Sequence, residues 1–135
     1  MNADEMERLF ALLRVPSVGA LPEHAPDMQV AADLMADEIR RAGGSVTLHA
    51  GTGVPFLVGE VPPSDGRSDP TRVLIYGHYD VQPVGDLDRW DSPPFAPTIR
   101  GEHLYARGAS DDKGNLFQAL VGVQLVSRHQ SIRNG

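Results

Sequence analysis

The sequence predicts an α/β fold in which helices pack on a mixed β-sheet. Three observations carry that expectation. Stretches near both ends place apolar residues at helical spacing. Val46, Leu48 and Ala50 alternate as in a strand with one buried face, and residues 54–61 are a second strand candidate. Val73-Leu74-Ile75-Tyr76 is a continuous apolar run of strand formers, the pattern of a central strand covered on both faces. The predicted order is helix, helix, strand, strand, strand, loop, helix. It has no internal repeat and no low-complexity tract, which suits one domain over residues 1–135.

The first helix opens at Asn2, an N-cap with Glu5 three residues on, as in a capping box. Met6, Leu9, Phe10 and Leu13 form its apolar stripe. Pro16 ends it, because a residue before proline avoids the α region. Residues 16–26, with three prolines and Gly19, read as a loop. A second helix is expected from about Asp27, with Ala31, Leu34, Met35, Ile39 and Ala42 on one face and Gly43-Gly44 as its stop.

Val46, Leu48 and Ala50 should line the buried face of a strand, and residues 54–61 should form another. Residues 62–70, rich in Pro, Ser, Asp and Gly, read as an exposed loop. A long acidic, proline-rich loop covers 81–97, stiffened by Trp90, Pro93, Pro94 and Phe95. Thr98–Arg100 and His103–Tyr105 should form a hairpin around Gly101-Glu102. The last helix is expected from Asp112 or Lys113 to about Arg128. Leu116, Phe117, Leu120, Val121, Val123 and Val126 cover so much of its circumference that it should be well buried.

Composition excludes several functions. The net charge of -6 argues against a nucleic-acid or anionic-membrane surface, which needs clustered Lys and Arg. No cysteine is present, so any metal must be held by His, Asp and Glu. That absence is compatible with a cytoplasmic location. The acidic start, Met1 to Glu5, is not a secretory signal, and no apolar run is long enough to span a bilayer.

Two motifs carry chemistry. Gly77-His78-Tyr79-Asp80 follows the apolar run, at the strand end where open α/β sheets bind ligands. Imidazole is a good zinc ligand, and a ligating His usually donates its other N–H to a carboxylate or carbonyl. Residues two apart in an extended segment share a face, so Asp80 can reach His78. Taken alone, a His after a strand is more often structural. The second motif, Gly108-Ala109-Ser110-Asp111-Asp112-Lys113-Gly114, sets two carboxylates at a helix start. Capping explains one, and a carboxylate that bridges two metal ions would explain the other. Gly108 and Gly114 would let the backbone turn sharply there. The sequence holds no phosphate-binding loop, EF-hand or dinucleotide fingerprint. The other histidines, His24, His49, His103 and His129, lack paired spacing and read as surface or loop residues.

Taken in order, Gly77-His78-Tyr79-Asp80-Val81-Gln82-Pro83, Trp90-Asp91-Ser92-Pro93-Pro94-Phe95, Leu104-Tyr105-Ala106-Arg107-Gly108 and Asp111-Asp112-Lys113-Gly114 resemble a known family. It is the di-zinc metallopeptidase family of carnosine dipeptidases, carboxypeptidase G, aminoacylase and succinyl-diaminopimelate desuccinylase. Asp80-Val81-Gln82-Pro83 and the Trp90–Phe95 stretch are most similar to the dipeptidase branch. Val15-Pro16-Ser17-Val18 and Arg41-Ala42-Gly43-Gly44 look like the same family.

The resemblance implies a partial zinc-peptidase-like catalytic domain, two zinc ions in the complete member, and a dipeptide or N-acylated amino acid as substrate. It implies His78 as ligand of one zinc, Asp111 as the carboxylate bridging both, and Asp80 as the catalytic acid supporting His78. It also implies a cis peptide between Asp111 and Asp112. The family's base is the first of two adjacent glutamates after the next strand, and no Glu-Glu pair occurs here. The remaining ligands, the C-terminal strands and the lid domain that dimerises complete relatives have no matched positions either. The expectation is therefore an N-terminal fragment, inactive by itself as an amide hydrolase. The alternative is a non-catalytic remnant or interaction fragment.

Overall fold

A computed structural model describes residues 1–50, 54–63 and 72–128. Three helices form its centre. Helix α1 (Ala3–Arg14) starts with the reciprocal capping box read from the sequence. The Glu5 N–H donates to Asn2 Oδ1 at 2.9 Å, and the Asn2 N–H donates to Glu5 Oε2 at 2.7 Å. The helix stops at Arg14, two residues before Pro16, and its C-cap Val15 is extended, as the pre-proline position requires.

Helix α2 (Ala25–Arg41) begins two residues before the expected start, because Pro26 fits the first helical turn, where its missing N–H costs nothing. It ends in a Schellman motif. Gly43 has φ +83°, its N–H donates to Arg40 O, and the Gly44 N–H donates to Ile39 O. Helix α3 (Lys113–Arg128) closes the bundle.

The core joins all three helices: Leu9, Leu12 and Leu13 from α1, Met28, Ala31, Ala32 and Met35 from α2, and Phe117, Leu120 and Val121 from α3, with Tyr79 against them. Burying each large apolar side chain is worth about 1.5–3 kcal/mol. One polar knot ties the helices as well. Buried Glu38 of α2 accepts from Arg8 Nε of α1 at 2.8 Å, and Gln124 Nε2 of α3 donates to both the carbonyl and a carboxylate oxygen of Glu38. The carboxylate is thus paired on both sides, the condition for burying it. The last turn of α3 is less buried than its composition suggests, with Leu125 and Val126 each about half exposed.

The sheets are small and antiparallel. Strand β1 (Ser45–His49) pairs with β2 (Phe56–Glu60), Val46 opposite Gly59. Gly59 is needed there, since a Cβ would lie 2.8 Å from Ile39 of α2. Val46 is half-buried, but Leu48 and Ala50 are exposed, so the expected buried face of β1 is covered at one end only. Strands β3 (Thr98–Arg100) and β4 (His103–Tyr105) form the expected hairpin, with Gly101 at φ +61° in the turn.

The α/β class is thus borne out as a partial α/β domain, in which α2 packs on the β1–β2 hairpin and the described strands form two separate antiparallel hairpins. The expected central strand Val73–Tyr76 is not formed. Among the described residues no strand pairs with it: β1 bonds only to β2, and β3 only to β4. Val73, Leu74 and Tyr76 are more than four-fifths exposed. The expected loop over 62–70 lies mostly outside the described residues, as does His129.

Candidate metal centre

The site forms where two limbs meet, residues 77–81 after the unpaired run and residues 108–113 leading into α3. Close approach comes first. A Cβ on Gly77 would lie 2.7 Å from Asp112 Oδ2 and 2.9 Å from Leu116, so only glycine lets the first limb press on the start of α3. The His78 backbone N–H then donates to Asp112 Oδ2 at 3.3 Å.

The side chain of His78 lies between two acidic residues. Its Nδ1 is 3.0 Å from Asp80 Oδ1 and 3.1 Å from the Asp80 carbonyl. Its Nε2 is 3.0 Å from Asp111 Oδ1, across thirty-three residues of sequence. The three sequence-derived site residues, His78, Asp80 and Asp111, therefore form one constellation. The two adjacent aspartates divide their work, Asp111 facing the imidazole ring and Asp112 the His78 backbone. The Asp111-Asp112 peptide is cis.

Burial of the ring pulls the His78 pKa down. Hydrogen bonds to the Asp80 carbonyl and the Asp111 carboxylate, with the charges of both acids, outweigh this and raise it above 6.5. The surroundings thus favour positive charge at the ring. Three carboxyl groups, those of Asp80, Asp111 and Asp112, thus lie around the one histidine. Neighbouring Tyr79 is pushed up by burial and by Asp80, and its hydroxyl donates to the Pro55 carbonyl.

An imidazole nitrogen facing a carboxylate in an acidic surrounding is a donor set that suits zinc. Nδ1 is directed at Asp80, so the donors that could hold a metal are Nε2 and the Asp111 carboxylate. Among the described residues, no group of three or more His, Asp or Glu side chains is placed to hold a single ion. The fit is therefore to part of a ligand set. Two of the other histidines are engaged elsewhere: His24 pairs with Asp27 at 2.7 Å, and His49 stacks on Phe56.

Several residues around the centre were not singled out from the sequence. Ser17 Oγ donates to the Tyr79 carbonyl, and Lys113 Nζ reaches the carbonyls ending α1. Burial drops the Lys113 pKa to about 8, partly offset by Asp27 and Asp80. The signal available for Lys113 was a cation opening an apolar helix. For Ser17 there was none beyond the family resemblance. Gly108 has φ +86° and turns the chain as expected. Gly114 corrects the expectation of a turn: its φ is not positive, and it is required because a Cβ would overlap the Ala109 carbonyl oxygen. Trp90 stiffens its loop as expected, with Nε1 donating to Val84 O at 3.0 Å and the Arg107 guanidinium 5.2 Å above its ring.

Residues 74–133 match the family described as peptidase family M20/M25/M40. The fold is similar to an M20 family metallo-carboxypeptidase from Sulfolobus solfataricus (30% identity, TM-score 0.77), over 93% of this chain and 27% of that one. Human carnosine dipeptidase 1 is similar at 25% identity and TM-score 0.75, over 93% of this chain and 28% of its own. The dipeptidase Dug1p from Saccharomyces cerevisiae shares the fold at 23% identity and TM-score 0.75, over 94% of this chain and 29% of its own. The chain spans less than a third of the length of each of these structures.

Proposed function

We propose that this chain, whose residues 74–133 belong to peptidase family M20/M25/M40, supplies part of the metal centre of a hydrolase that cleaves amide bonds in dipeptides or N-acylated amino acids. The observation that carries the reading is the 3.0 Å approach of His78 Nε2 to Asp111 Oδ1, backed by Asp80 on the far side of the ring.

His78 and Asp111 would hold zinc, His78 as a ligand of one ion and Asp111 as a carboxylate shared by a pair. Bound zinc acidifies a coordinated water and polarises a carbonyl, the chemistry amide hydrolysis needs. Asp80 fixes the tautomer of His78 by taking its Nδ1 proton in a hydrogen bond, which directs Nε2 outward and makes it more basic. The chain contains no Glu-Glu pair to act as base, and for that reason the 135-residue chain by itself turns over no substrate. A cytoplasmic location goes with the reading and is compatible with the lack of cysteine. No helix among the described residues is long and apolar enough to cross a membrane.

Calorimetric zinc titration tests the centre. The wild-type chain binds zinc, and His78→Ala and Asp111→Asn each weaken binding at least tenfold. Equal affinity in all three would remove the reading. Zinc-dependent release of amine from a dipeptide panel, above a His78→Ala control, would overturn the inactivity.

A second reading, a non-catalytic fragment acting through contacts, is favoured by the exposed run Val73–Tyr76. It predicts self-association or partner capture that survives His78→Ala.

A further inference from the structure

We propose that the segment from Leu12 to Gly19 is a clamp that holds His78 against Asp111, with Ser17 and Lys113 as its positioning residues; this rests on the metal-centre reading above. His78 and Asp111 are poorly placed to hold each other. The Asp111 side chain is 77% exposed and that of His78 41%, so their mutual hydrogen bond is open to water. What lies beneath them is wholly buried.

The first limb is fastened to Ser17, which has no exposed surface. Its Oγ donates to the Tyr79 carbonyl at 2.7 Å, and its own carbonyl accepts from the Val81 N–H at 2.8 Å. One serine thus grips the residues on either side of Asp80. Gly19 backs Asp80 directly, since a Cβ there would lie 2.8 Å from Asp80 Oδ2.

The second limb is fastened to the same segment by Lys113, two residues beyond Asp111 and also without exposed surface. Its Nζ donates to the Leu12 carbonyl at 3.0 Å and the Val15 carbonyl at 2.7 Å. An apolar side chain could fill this space without the desolvation cost of an ammonium. What lysine adds is two directed hydrogen bonds at the negative end of α1. The limbs then touch at Gly108, where a Cβ would lie 2.8 Å from Val81 Cγ1 and 3.2 Å from Lys113 Cδ. Both limbs take their position from one turn, and the distance between His78 and Asp111 follows from it.

The test uses the 135-residue chain with 15N-labelled histidine rings. The His78 nitrogen shifts are read by NMR without metal, and zinc affinity by calorimetry. Ser17→Ala removes the bond to Tyr79 and leaves the backbone bond to Val81. We expect displaced His78 shifts in a folded chain and roughly tenfold weaker zinc binding, the usual cost of losing an outer support. Asn2→Ala, which uncaps the opposite end of α1, controls for general loss of stability and should leave both readouts unchanged. Should Ser17→Ala not fold, Gly19→Ala pushes on Asp80 without removing a buried bond and should move the His78 Nδ1 shift. Wild-type shifts in whichever of these variants folds, or shifts moved as far by Asn2→Ala, would overturn the clamp. If the His78 shifts respond but the wild-type chain binds no zinc, the clamp stands as geometry and the metal-centre reading fails.

Discussion

Lys113 Nζ lies 2.7 Å from the carbonyl oxygen of Val15, although ninety-eight residues separate them in sequence. That bond and its companion to Leu12 O join the start of α3 to the end of α1 inside the protein. Replacing Lys113 by Met keeps the apolar stem but leaves two carbonyls without their donors. Relief of the buried charge offsets part of the loss, and the net cost should be about 2 kcal/mol. Urea denaturation of the variant should show an earlier midpoint with an unchanged slope.

Two glycines of α3 should respond in opposite directions to alanine. At Gly114 a Cβ meets the Ala109 carbonyl, so the backbone must shift, at a cost of about 3 kcal/mol or more. At Gly122 nothing lies within 4 Å, and alanine should stabilise the helix by about 0.5–1 kcal/mol. Thermal melts of the two variants beside wild type decide this, and a matched loss in both would show that the space at Gly122 is not free.

The N-terminal cap should behave as an independent unit. Asn2→Ala removes the acceptor for the Glu5 N–H and should cost about 1 kcal/mol. Glu5→Ala in the same background should then add little, because the two bonds form one reciprocal box. A double-mutant cycle by chemical denaturation measures that coupling.

Asp80→Asn keeps the shape beside His78 Nδ1 but removes the charge. Zinc affinity should fall about tenfold, less than for loss of His78 itself, since Asp80 orients the ring and does not ligate. Calorimetry on the two variants checks the order. A larger effect at Asp80 than at His78 would reverse their roles.

The parts legible in the sequence were those set by neighbours a few residues away. Asn2 and Glu5 announce a cap, Gly43-Gly44 a helix stop, and Gly101 a hairpin turn, because each of these interactions closes within one or two turns of chain. The nearness of Asp80 to His78 was readable for the same reason. Asp111 was different: nothing local ties it to a residue thirty-three positions earlier, and only the family resemblance suggested the pairing. Ser17 and Lys113 lay further out of reach, as their partners are carbonyls, and carbonyls carry no residue identity. Val73–Tyr76 misled for the converse reason. An apolar run states a preference for burial, while a strand needs a partner to bond, and no described strand lies alongside this run.

The exposed run and the centre adjoin in sequence, and this has a consequence for the limb carrying His78. From Tyr79 onward its backbone is stapled to Ser17, while before Gly77 no strand holds it among the described residues. His78 stands at the border between a supported and an unsupported stretch. A polypeptide that added itself alongside Val73–Tyr76 would steady the ring from its free side. Strand addition and zinc affinity would then be two faces of one linked equilibrium, each strengthening the other by the same factor.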